Sequence, residues 1–175
     1  MPDVVIRAER PGDSAAIRTV NEAAFGGPIE AQIVDDIRGT DRWIDGGSIV
    51  AETAAGSIVG HLLLSEGDLV AADGAFIRRI WMVGPVAVLP DHQRQGVGSA
   101  LMNACIAYAT ERGQPVLVLL GHANYYPRFG FGPARSIGIE APRPWGDPNW
   151  MALRLPAWDQ SLQGVAHFPP VFPED

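Results

Sequence analysis

Two glycines spaced as Gly96-Val97-Gly98, led by Gln93-Arg94-Gln95 and followed by an apolar-periodic stretch from Ser99, are suited to holding an anion. The pattern reads as a tight turn that opens a helix. A helix N-terminus carries main-chain N–H groups with no intrahelical acceptor, and glycine removes the side chain that would keep a phosphate or pyrophosphate from them. Arg94 and His92 could add local positive charge. Three further side chains are candidates for moving protons: His122 after an apolar strand, Glu30 on a helix, and His61 on a strand, where a histidine is as readily a packed and satisfied residue. The single cysteine, Cys105, excludes an internal disulfide. It falls on the apolar face of the helix behind the glycine turn, where it reads as a packing residue.

Two familiar phosphate loops do not fit. A P-loop ends in Gly-Lys-Ser/Thr, and this chain has no lysine. A dinucleotide turn needs a third glycine at a fixed place and an acid after the next strand. Gly96 and Gly98 have no such partner, and Leu120-Gly121 brings no acid.

The elements that must position the turn follow from periodicity. Val86–Leu89 completes an apolar strand spanning about 80–89, and the stripe Val97, Leu101, Ala104, Cys105, Tyr108 makes the helix, stopped at Gly113. Val116 to Leu120 is wholly apolar and reads as a buried central strand, so the strand–helix–strand portion predicts a right-handed parallel crossover. Upstream lie a strand at Val4–Arg7, a helix capped by Asp13 and ending near Phe25, and a second helix from Pro28 to Gly39. Strands at Ser48–Thr53 and Ser57–Ser65 meet in a turn near Gly56, and Glu66–Gly74 reads as a polar connection. Downstream come a helical turn at Tyr125–Phe129 and strands at Ser136–Glu140 and Trp150–Leu155. The proline- and aromatic-rich tail, about 156–175, is expected to pack on the surface without forming an element. The whole predicts one α/β domain over 1–175, a mixed sheet with helices on both faces.

All 13 basic side chains are arginine, set against 20 acidic ones for a net charge of −7, which argues against a nucleic-acid coat. No signal peptide, membrane-spanning helix or metal-ligand cluster is read from the chain, and the single cysteine makes a reducing, cytoplasmic setting the expectation. Arg78-Arg79 reads as solvated or paired with Asp73. The five tryptophans read as packing, with Trp81 and Trp145 as alternatives for lining a binding pocket.

At Val86-Ala87-Val88-Leu89-Pro90, Gln93-Arg94-Gln95-Gly96-Val97-Gly98 and the helix from Ser99, the chain resembles the GNAT N-acetyltransferase superfamily. Tyr126-Pro127-Arg128-Phe129-Gly130-Phe131 is similar to the family's late Tyr-x-x-x-Gly-Phe element. With Leu120-Gly121-His122, Tyr125, Phe25-Gly26-Gly27, Glu30-Ala31 and Val59-Gly60-His61, it looks like the YhbS-like branch of bacterial acetyltransferases. The resemblance implies a central, mostly antiparallel sheet in which one parallel strand pair is splayed by a bulge at Gly84-Pro85. It implies acetyl-CoA (coenzyme A) as donor, with the pyrophosphate on Gln93, Arg94, Gln95, Gly96, Val97, Gly98 and Ser99. The pantetheine arm would follow the backbone of Val86, Ala87 and Val88, and Tyr125 would stand beside the cofactor. An amine is the implied acceptor, with no nucleic acid or membrane partner and a homodimer as an allowed assembly.

The implied reaction is direct attack of a primary amine on the thioester in a ternary complex, since no nucleophile for an acyl-enzyme presents itself. A lysine-like amine is neutral in only about one molecule in 2,500 at pH 7, a cost of about 4.6 kcal/mol; an α-amine needs about 1 kcal/mol. A base is therefore useful, yet the strand at 80–89 holds no carboxylate, and His122 is the candidate. A backbone N–H near Ala87 or Val88 would meet the oxyanion. Tyr126 occupies the family's tyrosine acid position; its proton would move uphill by about 2 kcal/mol to a thiolate, so a hydrogen bond matters more than full transfer. The alternative reading is an acyl-CoA-binding sensor without transfer.

Overall fold

The computed structural model describes residues 3–145 and 148–173. Its elements are β1 (Val4–Ala8), α1 (Ser14–Phe25), α2 (Ile29–Arg38), β2 (Trp43–Thr53), β3 (Ile58–Val70), β4 (Phe76–Val88), α3 (Val97–Glu111), β5 (Val116–Leu120), β6 (Gly132–Pro133), β7 (Ile139–Glu140), β8 (Trp150–Arg154) and β9 (Gly164–His167). Strand order is β1-β2-β3-β4-β5-β8-β6, with β9 joining β3 and β7. The α/β architecture is as expected: the β1–β2, β2–β3 and β5–β8 pairs are antiparallel, and β4–β5 is parallel through Trp81–Leu117 and Met82–Val118. No helix among the described residues is long and apolar enough to cross a membrane.

The chain divides into two compact units, Met1–Ser65 with Gly84–Cys105, and Glu66–Val83 with Ile106–Asp175. In the first, Ile17 and Val20 of α1, Val34 and Ile37 of α2, Val50 of β2 and Leu62 of β3 are fully enclosed. An Arg7 guanidinium between two carboxylates ties β1 down: Nη1 reaches Asp13 Oδ2 at 2.6 Å and Nε reaches Glu52 Oε2 at 2.6 Å. That corrects the expected cap. Asp13 closes the first turn of α1 only through its carbonyl, which accepts from Ile17 N, while its carboxylate serves Arg7 and the Arg10 N–H. The Arg7 hydrogen bond holds that carboxyl below the usual range, against the opposing effect of burial.

α3 begins in the first unit, and its close approach to β3 depends on one glycine. A Cβ on Gly60 would lie 2.9 Å from Val97 Cγ1 and 3.0 Å from Leu101 Cδ1. β4 carries its irregularity where expected, with Gly84 at φ +137 and a cis Gly84–Pro85 bond.

In the second unit, Leu69, Ile80, Met82, Val116, Val118, Ile139, Trp150 and Ala166 form a continuous apolar core. Four expectations are corrected here. The Glu66–Gly74 stretch is not a connection as far as Val70, because β3 continues through it: Gly67 and Leu69 face inward while Glu66 and Asp68 face out. Those two acids, not Asp73, pair with Arg79, each at 3.2 Å. Ser136–Glu140 is a strand only at Ile139–Glu140, after a 3₁₀ turn over Ala134–Ile137 closed by Gly138. The tail forms an element after all: β9 pairs Val165, Ala166 and His167 with Val70, Leu69 and Asp68. Glycines on the facing strands permit it, since a Cβ on Gly67 would meet His167 O at 2.4 Å and one on Gly164 would meet Val70 O at 2.2 Å. Residues 174–175 of that tail lie outside the described residues.

Replacing Gly60 by valine forces α3 from β3, and a stability loss of about 1–3 kcal/mol is expected. Urea unfolding of Gly60→Val against the parent chain measures it; an unchanged midpoint would show that α3 does not depend on this contact.

Candidate functional site

β4 ends at Val88, with Ala87 buried and Val86 and Val88 half-buried. Leu89 N donates to Val59 O at 2.9 Å, and a single 3₁₀ turn at Pro90–His92 carries the chain onward. Arg94 then adopts φ +59 and Gly96 φ +89, left-handed geometry that glycine tolerates and arginine rarely does. Two side chains brace the loop: Gln93 Nε2 donates to Val88 O at 3.0 Å, and Gln95 Nε2 donates to Asp91 O at 2.8 Å. The first helical bond of α3 runs from Ala100 N to Gly96 O at 3.0 Å. The N–H groups of Val97, Gly98 and Ser99 therefore lie in the turn with no acceptor inside the helix. Gln93, Arg94, Gln95 and Gly96 are exposed around them. Such a row, at the positive end of a fifteen-residue helix, favours an anion. The two glutamines support the loop with their side chains, so what they offer a ligand is main chain. That bracing was missed from the sequence, where both residues read simply as cofactor contacts.

His122, Tyr125 and Tyr126 belong to the second unit. β5 is buried through Leu119 and ends at exposed Leu120. Gly121 N donates to Asn149 O, and Tyr125 N donates to His122 O at 3.0 Å, leaving the His122 side chain exposed. The expected helical turn is a 3₁₀ turn over Tyr126–Phe129, closed by Gly130 at φ +94. Tyr126 lies against Gly121 so tightly that a Cβ there would sit 2.3 Å from Tyr126 Cε2. Its ring also meets Tyr125 edge-on at 5.1 Å and Phe131 at 6.0 Å. The carbonyl of Asn124 accepts from Arg128 Nη2 at 3.4 Å.

His61 is not a base. It is fully buried, its Nδ1 accepting from Asn21 Nδ2 at 3.0 Å and its Nε2–H donating to Ser48 Oγ at 3.0 Å. Ser48 Oγ donates onward to Glu9 Oε2, and Glu9 Oε1 accepts from Arg38 Nε at 3.1 Å. Burial, helped by the positive charge of Arg38, pushes the imidazole pKa down to about 3. Glu30 stands half-buried in the first turn of α2. Cys105 is enclosed, and burial pushes its thiol up, as suits a packing residue. Trp81 is buried and stacked on Tyr108 at 5.7 Å, and Trp145 leans on Trp150 and Phe168, so both serve as packing.

Comparison with known proteins points to one family. A family model described as "Acetyltransferase (GNAT) family" matches residues 16–131. An uncharacterized N-acetyltransferase of Escherichia coli, YjhQ, is 33% identical over 156 residues, spanning 87% of this chain and 84% of that protein. The crystal structure of a GNAT family acetyltransferase from Brucella melitensis in complex with acetyl-CoA aligns at TM-score 0.78 and 31% identity, covering 97% of this chain and 98% of that one. The Escherichia coli YhbS structure in complex with CoA has the same fold at TM-score 0.87 and 24% identity, covering 98% and 93%.

The His61 network makes stability depend on pH. The folded pKa is lowered, so between about pH 3 and 6.5 the unfolded chain binds the extra proton. The stabilisation is intact above the unfolded value and declines as pH falls, by about 2 kcal/mol from pH 7 to pH 5. Urea unfolding at the two pH values should show this drop, and His61→Gln should flatten it whatever its own stability. An equal drop in both proteins would clear His61 of the effect.

Proposed function

Because the chain belongs to the acetyltransferase (GNAT) family, we propose that it transfers an acetyl group from acetyl-CoA to a primary amine by direct attack in a ternary complex. The carrying observation is the turn from Arg94 to Ser99, where two left-handed residues and a helix start bring successive N–H groups to one exposed loop. A diphosphate suits it in charge and in hydrogen-bonding sense. Two structural relatives were solved with CoA or acetyl-CoA, which supports the same donor for this chain.

In this reading Gln93, Arg94, Gln95, Gly96, Val97, Gly98 and Ser99 hold the pyrophosphate through main-chain donors, with Arg94 adding charge. Val86, Ala87 and Val88 offer strand backbone to the pantetheine arm, and Pro85, having no N–H, marks where that edge begins. Acetyl-CoA supplies the activated acyl group. The N–H groups of Ala87 and Val88 are the donors we assign to the thioester oxygen as charge builds there. Tyr126 gives a hydrogen bond to the departing sulfur, and Tyr125 borders the cofactor. His122, exposed, receives the proton that the amine must shed. We place the protein in the cytoplasm, where its one thiol remains a buried packing group.

Calorimetry should show CoA binding that weakens in Gly96→Val, whose φ of +89 would strain a β-branched side chain by about 1–2 kcal/mol. Tyr126→Phe should cut the rate of thiol release by about 100-fold while acetyl-CoA affinity holds. Binding of acetyl-CoA with no free thiol released against a broad panel of amines would overturn the assignment.

A further inference from the structure

We propose that Arg128 is a positioning residue that holds the Tyr126 ring in place by fixing Tyr125; the inference rests on the reading of Tyr126 as hydrogen-bond donor to the leaving sulfur. Tyr126 opens a 3₁₀ turn of only four residues. So short a turn has little stability of its own, and Pro127 removes one N–H from it. Arg128, though exposed, makes three contacts back onto the segment before the turn. Its Nε donates to Tyr125 O at 2.9 Å, its Nη2 to Asn124 O at 3.4 Å, and its guanidinium carbon lies 4.7 Å from the centre of the Tyr125 ring. A planar fork can grip two carbonyls and cover an aromatic face at once, which an ammonium cannot.

Tyr125 passes this restraint on. Its ring meets Tyr126 edge-on at 5.1 Å with planes 86° apart, and Phe129 at 5.4 Å. Tyr126 is confined elsewhere by Gly121 and Phe131. Tyr125 is therefore the wall of the Tyr126 ring that an exposed polar side chain holds. A hydroxyl at the end of a ring is displaced by any tilt of that ring, and small displacements of a group acting in a transition state lower the rate without changing ground-state binding.

The test follows thiol release from acetyl-CoA with hydroxylamine as acceptor, a small nucleophile uncharged at neutral pH that yields acetohydroxamate and the free thiol of CoA. Arg128→Met should lower kcat about tenfold while the KM for acetyl-CoA stays within about twofold. Arg128→Lys, keeping the charge over the ring but losing the fork, should fall between. In a Tyr126→Phe background the Arg128→Met change should cost nothing more. Losses that multiply in the double variant, or a raised KM at unchanged kcat, would overturn the proposal. With Tyr126→Phe impaired and Arg128→Met at full rate, only the positioning role fails. Full rate in Tyr126→Phe, or no enzyme-dependent thiol release at all, overturns the reading of Tyr126 beneath it.

Discussion

A helix can offer unpaired N–H groups to a ligand only while its first turn is held from behind, and here that hold is the contact of Val97 and Leu101 with β3 at Gly60. The first turn, like the last, is prone to fray, since its polar groups lack partners inside the helix. Val97, the first residue of α3, is buried. Its side chain anchors the turn while its main chain stays turned to the loop. The opposing glycine is what lets the two backbones approach, and the glutamine braces on Val88 and Asp91 fix the loop that leads in. Ligand geometry and core packing are thus one set of contacts in the first unit.

The two units are stabilised in different ways. The first contains a chain of polar contacts from Arg38 Nε through Glu9, Ser48 and His61 to Asn21, with one residue each from α2, the β1–α1 connection, β2, β3 and α1. Every link is a specific hydrogen bond, so the network fixes the mutual placement of these elements more tightly than apolar contact alone, at the cost of desolvating the imidazole. The core of the second unit is apolar and aromatic, and the buried Trp150 donates its indole N–H to Ile139 O. Phe168, Trp145 and Trp150 pack as a group, and β9 brings the tail into this core.

What could be read from the sequence was what local pattern determines. The glycine turn, the stripe of α3, the apolar β5 and the Tyr126–Phe129 turn each declare themselves within a dozen residues. The outer half of β3 did not, because its solvent-facing positions are acids and one inward position is a glycine, which disguises a period of two as a polar loop. β9 was hidden because its strand partner Leu69 stands far upstream, and proline-rich flanks suggest a loop. The assignment of His61 as a packed residue or a base turned on Asn21 and Ser48, residues that no spacing connects to it. Gly121 could be seen as a strand-ending glycine, but its service to the Tyr126 ring belongs to tertiary structure.

The charge balance makes these short-range contacts decisive. With a net charge of −7, the protein as a whole repels a diphosphate. Across more than a Debye length, about 8 Å at physiological ionic strength, that repulsion is largely screened. At the loop itself, each favourable interaction with the helix end contributes about 0.3–1 kcal/mol, and main-chain donors add hydrogen bonds that need a fixed direction. An anion is therefore favoured by geometry at this place, against the average field of the molecule. That geometry is set by two residues with left-handed backbone, Arg94 at φ +59 and Gly96 at φ +89. In the proposed reading, recognition would be a property of how the chain is bent, and only secondarily of which charges it carries.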